Sequence, residues 1–171
     1  GVLRDLWTRK SPEQDELFGP ESDEATHFAG NLLVGEARVL CFPVRSAKGS
    51  FAWLTSPLAL QRYARDTGRP AADMPKLKDE ECLAGPDMLV KDNQVVLEEY
   101  SFASKGNPDG AVDLLKDALP DDPLWATLAQ RLVVVSDGIF SHFCASACEV
   151  QQRIRIDDET GTVATGGLFN Q

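Results

Sequence analysis

The stretch from 149 to 171, EVQQRIRIDDETGTVATGGLFNQ, constrains the fold most, because its alternation suits a strand and not a helix. Gln151, Arg153 and Arg155 interleave with Gln152, Ile154 and Ile156, a period of two that gives a strand two unlike faces. Asp157-Asp158-Glu159-Thr160-Gly161 reads as the turn: Asp bonds its own backbone, and Gly161 can take the left-handed conformation of a bulged turn. Thr162, Val163 and Thr165 begin the return strand, which Gly166-Gly167 loosens. The spacing therefore predicts a long β-hairpin with two arginines and an amide on one face. Taken alone, a surface hairpin with solvated arginines accounts for that face.

The rest of the chain mixes both kinds of element. Leu132-Val133-Val134-Val135 is wholly apolar and predicts a short buried strand. Residues 32–44 are strand-like, with Gly35 a candidate bulge. A tight polar loop at 45–49 precedes a second apolar run at 51–54. Ser56-Pro57 starts a helix by the cap-then-proline rule, and that helix runs to about 66 before Gly68 ends it. Asn107-Pro108 and Asp122-Pro123 each start another helix in the same way, and Ser136 caps one over 137–143. Residues 93–102 form a further strand region, and 69–90, with three prolines, is irregular. Near the start, 2–10 is helical, 15–20 is one turn closed by Gly-Pro, and 21–27 is a polar loop. These elements predict an α+β domain with a mostly antiparallel sheet, helices on one face and a protruding hairpin.

Composition limits the function classes. A chain of 171 residues is usually one domain. A formal net charge of −10 argues against gripping nucleic acid by bulk electrostatics, though not against local basic patches. No run approaches a membrane span and no signal peptide is visible. The four cysteines, Cys41, Cys82, Cys144 and Cys148, form no C-x-x-C pair, and His27 and His142 complete no zinc pattern. Cys144 and Cys148 would share a helix face, where reduced, partly buried thiols outweigh a metal or redox pair. The spacing gives little support for a secreted disulfide framework, which points to a cytoplasmic setting. The chain opens on Gly1 in what already reads as a helix and stops in an unfinished strand, as a piece of a longer protein would.

Several stretches in order resemble one family, the RAMP-superfamily backbone subunits of the type III-B CRISPR Cmr complex. They are Gly1-Val2-Leu3-Arg4-Asp5, Glu16-Leu17-Phe18-Gly19, and the run ARVLCFPVRSAKGSFAWLTSP from Ala37 to Pro57. Arg131-Leu132-Val133-Val134-Val135-Ser136-Asp137 and the hairpin run RIRIDDETGTV from Arg153 complete the set. The P-V-R-S-x-K-G-x-F-A-W-x-T-S-P run and the R-I-x-x-x-T-G hairpin are specific when found together. The resemblance implies a modified ferredoxin-like (RRM-like) palm over 1–171, incomplete at both ends, with a thumb hairpin at 151–171. It implies copies stacked in a helical filament along guide CRISPR RNA, with other Cmr subunits and target RNA as partners and no membrane. The complete protein of such a family cleaves target RNA at regular intervals with a divalent metal, magnesium. A non-catalytic filament scaffold and a protein-binding α+β module are the alternatives.

The family's catalytic Asp lies in a loop ahead of the helix that begins here at Val2, so the resemblance carries over no catalytic residue. A Gly-rich loop and the segment after the thumb are also absent. The candidate RNA-binding residues are Arg45, Lys48, Arg153 and Arg155. Arg45 and Lys48 flank a turn beside Gly49, where they either meet RNA or pair with nearby acids such as Glu36. Arg153 and Arg155 share one hairpin face about 7 Å apart; phosphate contact competes there with cross-strand pairing. For the acidic turn 157–159 a solvated turn outweighs a magnesium site. Ser136-Asp137 needs no role beyond helix capping, and Trp7, Trp53 and Trp125 sit on apolar faces that suit a core.

Overall fold

The computed structural model describes residues 12–19, 30–119, 121–148, 152–156 and 160–170. The chain falls into two compact units, Gly1–Arg38 and Val39–Gln171. The helix expected over 2–10, the loop at 21–27 and the acidic turn at 157–159 lie outside the described residues. No described helix is long and apolar enough to cross a membrane.

In the first unit, α1 (Pro12–Phe18) ends where Gly19 takes a φ of 80°. Its Leu17 and Glu16 carbonyls accept from the backbone N–H groups of Leu32 and Asn31 at 2.9 and 3.0 Å. A side chain at Gly30 would meet the Leu17 carbonyl at 2.5 Å, so the backbone passes there only without a Cβ.

The second unit is built on a six-stranded sheet of order β1-β2-β6-β3-β5-β4. Its strands are β1 (Phe42–Arg45), β2 (Phe51–Thr55), β3 (Glu81–Ala84), β4 (Gln94–Leu97), β5 (Tyr100–Ser104) and β6 (Leu132–Val134). The helices are α2 (Pro57–Thr67), α3 (Asp109–Leu115), α4 (Leu128–Arg131) and α5 (Asp137–Ser146). A separate two-stranded sheet pairs β7 (Gln152–Ile156) with β8 (Val163–Asn170), the expected hairpin.

The sheet is mixed. β1/β2, β3/β6 and β4/β5 are antiparallel, but β2/β6 and β3/β5 are parallel. The expected mostly antiparallel pairing holds for three of these five pairs, whereas the expectation of helices on one face is corrected. In β6, Val133 joins Val44, Leu54, Val95, Phe102 and the α5 residues Phe140 and Phe143 in one core. Leu132 and Val134 join Leu60 of α2, Leu114 of α3 and Leu128 of α4 in another. A strand that is apolar at every position buries both faces, so it needs a layer on each side.

The two sheet edges meet at one end. Ser46, just past β1, bridges Leu97 at the end of β4. The Ala47 N–H donates to the Val96 carbonyl at 3.1 Å, and the Glu98 N–H to the Arg45 carbonyl at 2.9 Å. Edge groups that would otherwise be open are thereby paired.

Local signals placed several boundaries. Ser56 accepts from the Ala59 N–H and Gly68 closes α2 with a φ of 66°. Ser136 caps α5, and Asp122 Oδ1 accepts from the N–H groups of Leu124 and Trp125 at 2.8 and 3.1 Å. Two strand expectations shift. Residues 32–40 carry no regular structure, because only 42–45 find a partner strand among the described residues. β3 lies inside the stretch expected to be irregular.

Candidate nucleic-acid interface

The end of β1 and the loop that joins it to β2 carry two of the four candidate cations, and the loop is tied down at nearly every residue. Ser46 is buried; its Oγ donates to the Val96 carbonyl at 3.2 Å and its N–H to the Ser50 carbonyl at 3.1 Å. The Phe51 N–H donates to the Gly49 carbonyl at 2.9 Å. Gly49 and Ser50 both take left-handed backbone, at φ 76° and 70°. A Cβ on Gly49 would lie 2.8 Å from the Met88 methyl, so both space and conformation call for glycine there.

The two cations end up in different electrostatic situations. Arg45 Nε lies 3.3 Å from Glu98 Oε2, with the arginine side chain 78% exposed. An exposed pair of this kind is worth roughly 0–1 kcal/mol and leaves the guanidinium reachable. Lys48 Nζ donates to the neutral Leu89 carbonyl at 2.8 Å and meets no carboxylate among the described residues. Its stem is thus held, and no described carboxylate compensates its charge. Glu36, the acid expected to compete for these cations, pairs with Arg38 instead at 3.9 Å.

Sequence reasoning missed two residues here. Glu98 reaches Arg45 only because the sheet edges meet, and its own φ of 49° is unusual for a non-glycine residue. Arg131, at the end of α4, donates from Nη1 to the Gly49 carbonyl and holds its guanidinium carbon 5.0 Å from the centre of the Phe51 ring. The signal for Arg131 was its place ahead of β6, whose parallel register with β2 (Trp53 opposite Leu132) brings it alongside the loop.

The hairpin carries the other two cations. Arg153 stands opposite Phe169 in the β7/β8 register, and its side chain is outside the described residues. Arg155 is exposed and makes no ion pair among the described residues. Gly161 takes the expected left-handed backbone at φ 66°, and the β7/β8 register shifts between Ile154 (opposite Leu168) and Ile156 (opposite Val163), across the part of β8 that holds Gly166 and Gly167. The opposite face is open as well, with Ile154 and Ile156 each more than half exposed. No described hydrogen bond or ion pair joins the hairpin cations to those of the loop.

The remaining candidates resolve into structural roles. Ser136 Oγ donates to Asp79 at 2.6 Å and accepts from the Ile139 N–H at 3.3 Å, while Asp137 Oδ1 accepts from the Leu58 N–H at 2.9 Å. Both residues therefore cap helices, Asp137 at the start of α2. Trp125 is buried, with Nε1 donating to the Leu115 carbonyl at 3.0 Å, and it packs edge-on against Trp53. Trp7 lies outside the described residues. The four cysteines are free thiols. Burial pushes Cys41 and Cys82 each up to about 12, and burial followed by the neighbouring Cys148 raises Cys144. Among the described residues no group of three His, Cys, Asp or Glu is placed to hold a metal ion.

The chain matches no protein-family model. It is 34% identical, over 99% of its length, to the CRISPR system Cmr endoribonuclease Cmr4 of Pyrococcus furiosus, and covers 61% of that protein. The crystal structure of oligomeric Cmr4 from Pyrococcus furiosus superposes with a TM-score of 0.70 at 28% identity, covering 87% of this chain and 60% of that one. A type III-B Cmr-beta cryo-EM structure in the apo state shares the fold, with a TM-score of 0.57 at 15% identity over 99% of this chain and 62% of the other. The chain is therefore homologous to Cmr4 of Pyrococcus furiosus, spanning about three fifths of the length of the relatives it matches.

Proposed function

We propose that this chain is the palm and thumb of a backbone subunit in an RNA-guided CRISPR effector of the Cmr type. The complete protein binds guide RNA and cleaves target RNA at regular intervals. The observation that carries the reading is the identity to a protein named an endoribonuclease, running over nearly the whole chain. The oligomeric state named for one structural relative, and the complex named for another, support self-stacking into a filament with other Cmr subunits in the cytoplasm.

In this reading the six-stranded sheet is a modified ferredoxin-like palm and the β7/β8 hairpin is the thumb. Sequence is read by base pairing between guide and target, so the protein needs only phosphate and shape contacts. Lys48, Arg45, Arg153 and Arg155 supply the phosphate contacts. That answers the acidity of the chain: the cations are local, and Lys48 and Arg155 are not neutralised by described carboxylates. A stiff hairpin wedges between nucleotides, and contacts along the backbone recover the unstacking cost.

Magnesium, which the family resemblance assigns to the complete enzyme, does not fit the described residues, so no catalytic step through a metal is derived from them. The 171-residue chain alone should leave a guide–target duplex with magnesium uncut. The experiment for the binding role is Arg153→Ala with Arg155→Ala in the assembled, full-length complex. Target-RNA engagement should weaken by on the order of 1.5–3 kcal/mol for each charge-assisted hydrogen bond removed. Unchanged engagement in a folded double variant would remove the thumb role from this face.

A further inference from the structure

We propose that Arg131 is a positioning residue for the β1–β2 loop: it fixes the backbone at Gly49-Ser50 and thereby aims Lys48, without meeting the ligand itself. For its binding arm the proposal rests on the RNA-binding reading above.

Backbone strain marks this loop. Two consecutive residues at φ 76° and 70° form an uncommon conformation, and the second is a serine. Non-glycine residues stay in that region only where surrounding groups over-determine them. Several groups do so here, and the Lys48 N–H itself donates to Ser46 Oγ at 3.4 Å. The Ser46 N–H holds the Ser50 carbonyl, the Phe51 N–H holds the Gly49 carbonyl, and Arg131 Nη1 adds a charged donor to that same Gly49 carbonyl. The guanidinium also lies across Phe51, the first residue of β2. One planar group therefore fixes both the left-handed turn and the strand that leaves it, which a lysine ammonium cannot do in the same geometry.

The anchor is itself rigid. The Gly85 N–H donates to the Leu132 carbonyl at 2.8 Å, and a Cβ at Gly85 would lie 2.4 Å from the Gln130 carbonyl oxygen. The backbone on both sides of Arg131 is thus held against the neighbouring segment. Arg131 is half-buried and makes no ion pair among the described residues, so its described partners are the loop carbonyl and the ring. Lys48 sits one residue before the clamped carbonyl, with its own ammonium tied to Leu89.

The test uses the full-length protein and has two arms. In the first, without RNA, trypsin cleaves after Lys48 under native conditions. Arg131→Met should raise that initial rate about tenfold, because local opening exposes the loop, and Arg131→Lys should fall in between. If Arg131→Met does not fold, the lysine variant carries this arm alone, at about threefold over the parent. In the second arm, a guide–target RNA duplex is the probe. Lys48→Ala should cost about tenfold in affinity in the parent but less than twofold in the Arg131→Met background, since coupled residues are not additive. Unchanged cleavage at Lys48, or losses that multiply, would overturn the proposal; multiplying losses would mean Arg131 meets phosphate directly. If the parent binds no RNA, the binding reading fails, and the cleavage arm still decides whether Arg131 fixes the loop.

Discussion

Replacing Gly49 by alanine separates two penalties that the loop imposes together. The first is conformational: a left-handed residue with a Cβ costs roughly 1–2 kcal/mol. The second is steric. The new methyl would sit 2.8 Å from the Met88 methyl, and Met88 is fully buried. The methionine end is flexible, so it moves, but into a filled core; an off-rotamer torsion there costs about 0.5–1.5 kcal/mol. Gly68 supplies the control. It has nearly the same φ, 66°, and nothing within 4 Å of its Cβ position. Gly68→Ala should therefore report the backbone penalty alone. Gly49→Ala should exceed it by the Met88 increment, giving about 2–3 kcal/mol in all. For a domain of this size that corresponds to a fall in Tm of roughly 5–10 °C. Urea denaturation of parent and both variants, compared at constant m-value, measures the difference. Equal losses in the two variants would show that Met88 does not press on the loop. A neutral Gly49→Ala would show that the left-handed turn itself is wrong.

Other outcomes follow from the same structure. Ser136→Ala removes the α5 cap and the bond to Asp79 and should cost about 1 kcal/mol, read by chemical denaturation. A thiol reagent should label exposed Cys148 first and Cys82 and Cys41 last, as mass spectrometry of timed samples would show. Half-buried Cys41 and buried Cys82 both have folded pKa values raised to about 12, above the unfolded value. Their contribution is present below that unfolded value and is lost as pH rises towards 12, so Cys82→Ala should flatten the alkaline limb of the stability curve. Glu81 is the opposite case. The Lys78 N–H, then the Lys105 ammonium, hold its carboxyl below the ordinary value. That stabilisation is present above the unfolded pKa and is lost as pH falls through the folded one, so Glu81→Gln should flatten the acid limb.

Local chemistry made much of this fold legible. Ser56-Pro57 with Gly68, Asp122 and Ser136 each mark a boundary through a side-chain bond or a left-handed residue that neighbouring sequence dictates. The hairpin was legible from its period of two and from Gly161. What stayed hidden depends on partners far away in the chain. β3 is a strand because β5 and β6 flank it, and 32–40 reads as a strand but has no partner among the described residues. The all-apolar β6 already implied cover on both faces, a consequence that the expectation of a one-sided helix layer did not follow through. At the candidate interface Arg45 and Lys48 were visible as loop cations next to a glycine. Their partners Glu98 and Leu89, and the Arg131 contact, arise from the meeting of sheet edges and the parallel β2/β6 register.

If a few local cations engage RNA on an otherwise acidic protein, they must govern how binding responds to salt. The decisive experiment is the salt dependence of guide–target RNA binding by the assembled full-length complex, with and without Arg45, Lys48, Arg153 and Arg155 changed to alanine. Each phosphate contact contributes about 0.7–0.9 to the slope of log affinity against log salt, so removing four should reduce its magnitude by about 3. Affinity should fall at every salt concentration while the thermal midpoint moves little, because Arg45, Lys48 and Arg155 are exposed and such substitutions usually cost within about 0.5 kcal/mol each. An unchanged slope in a folded variant would contradict this role for the four cations, because the phosphate contacts would then lie elsewhere.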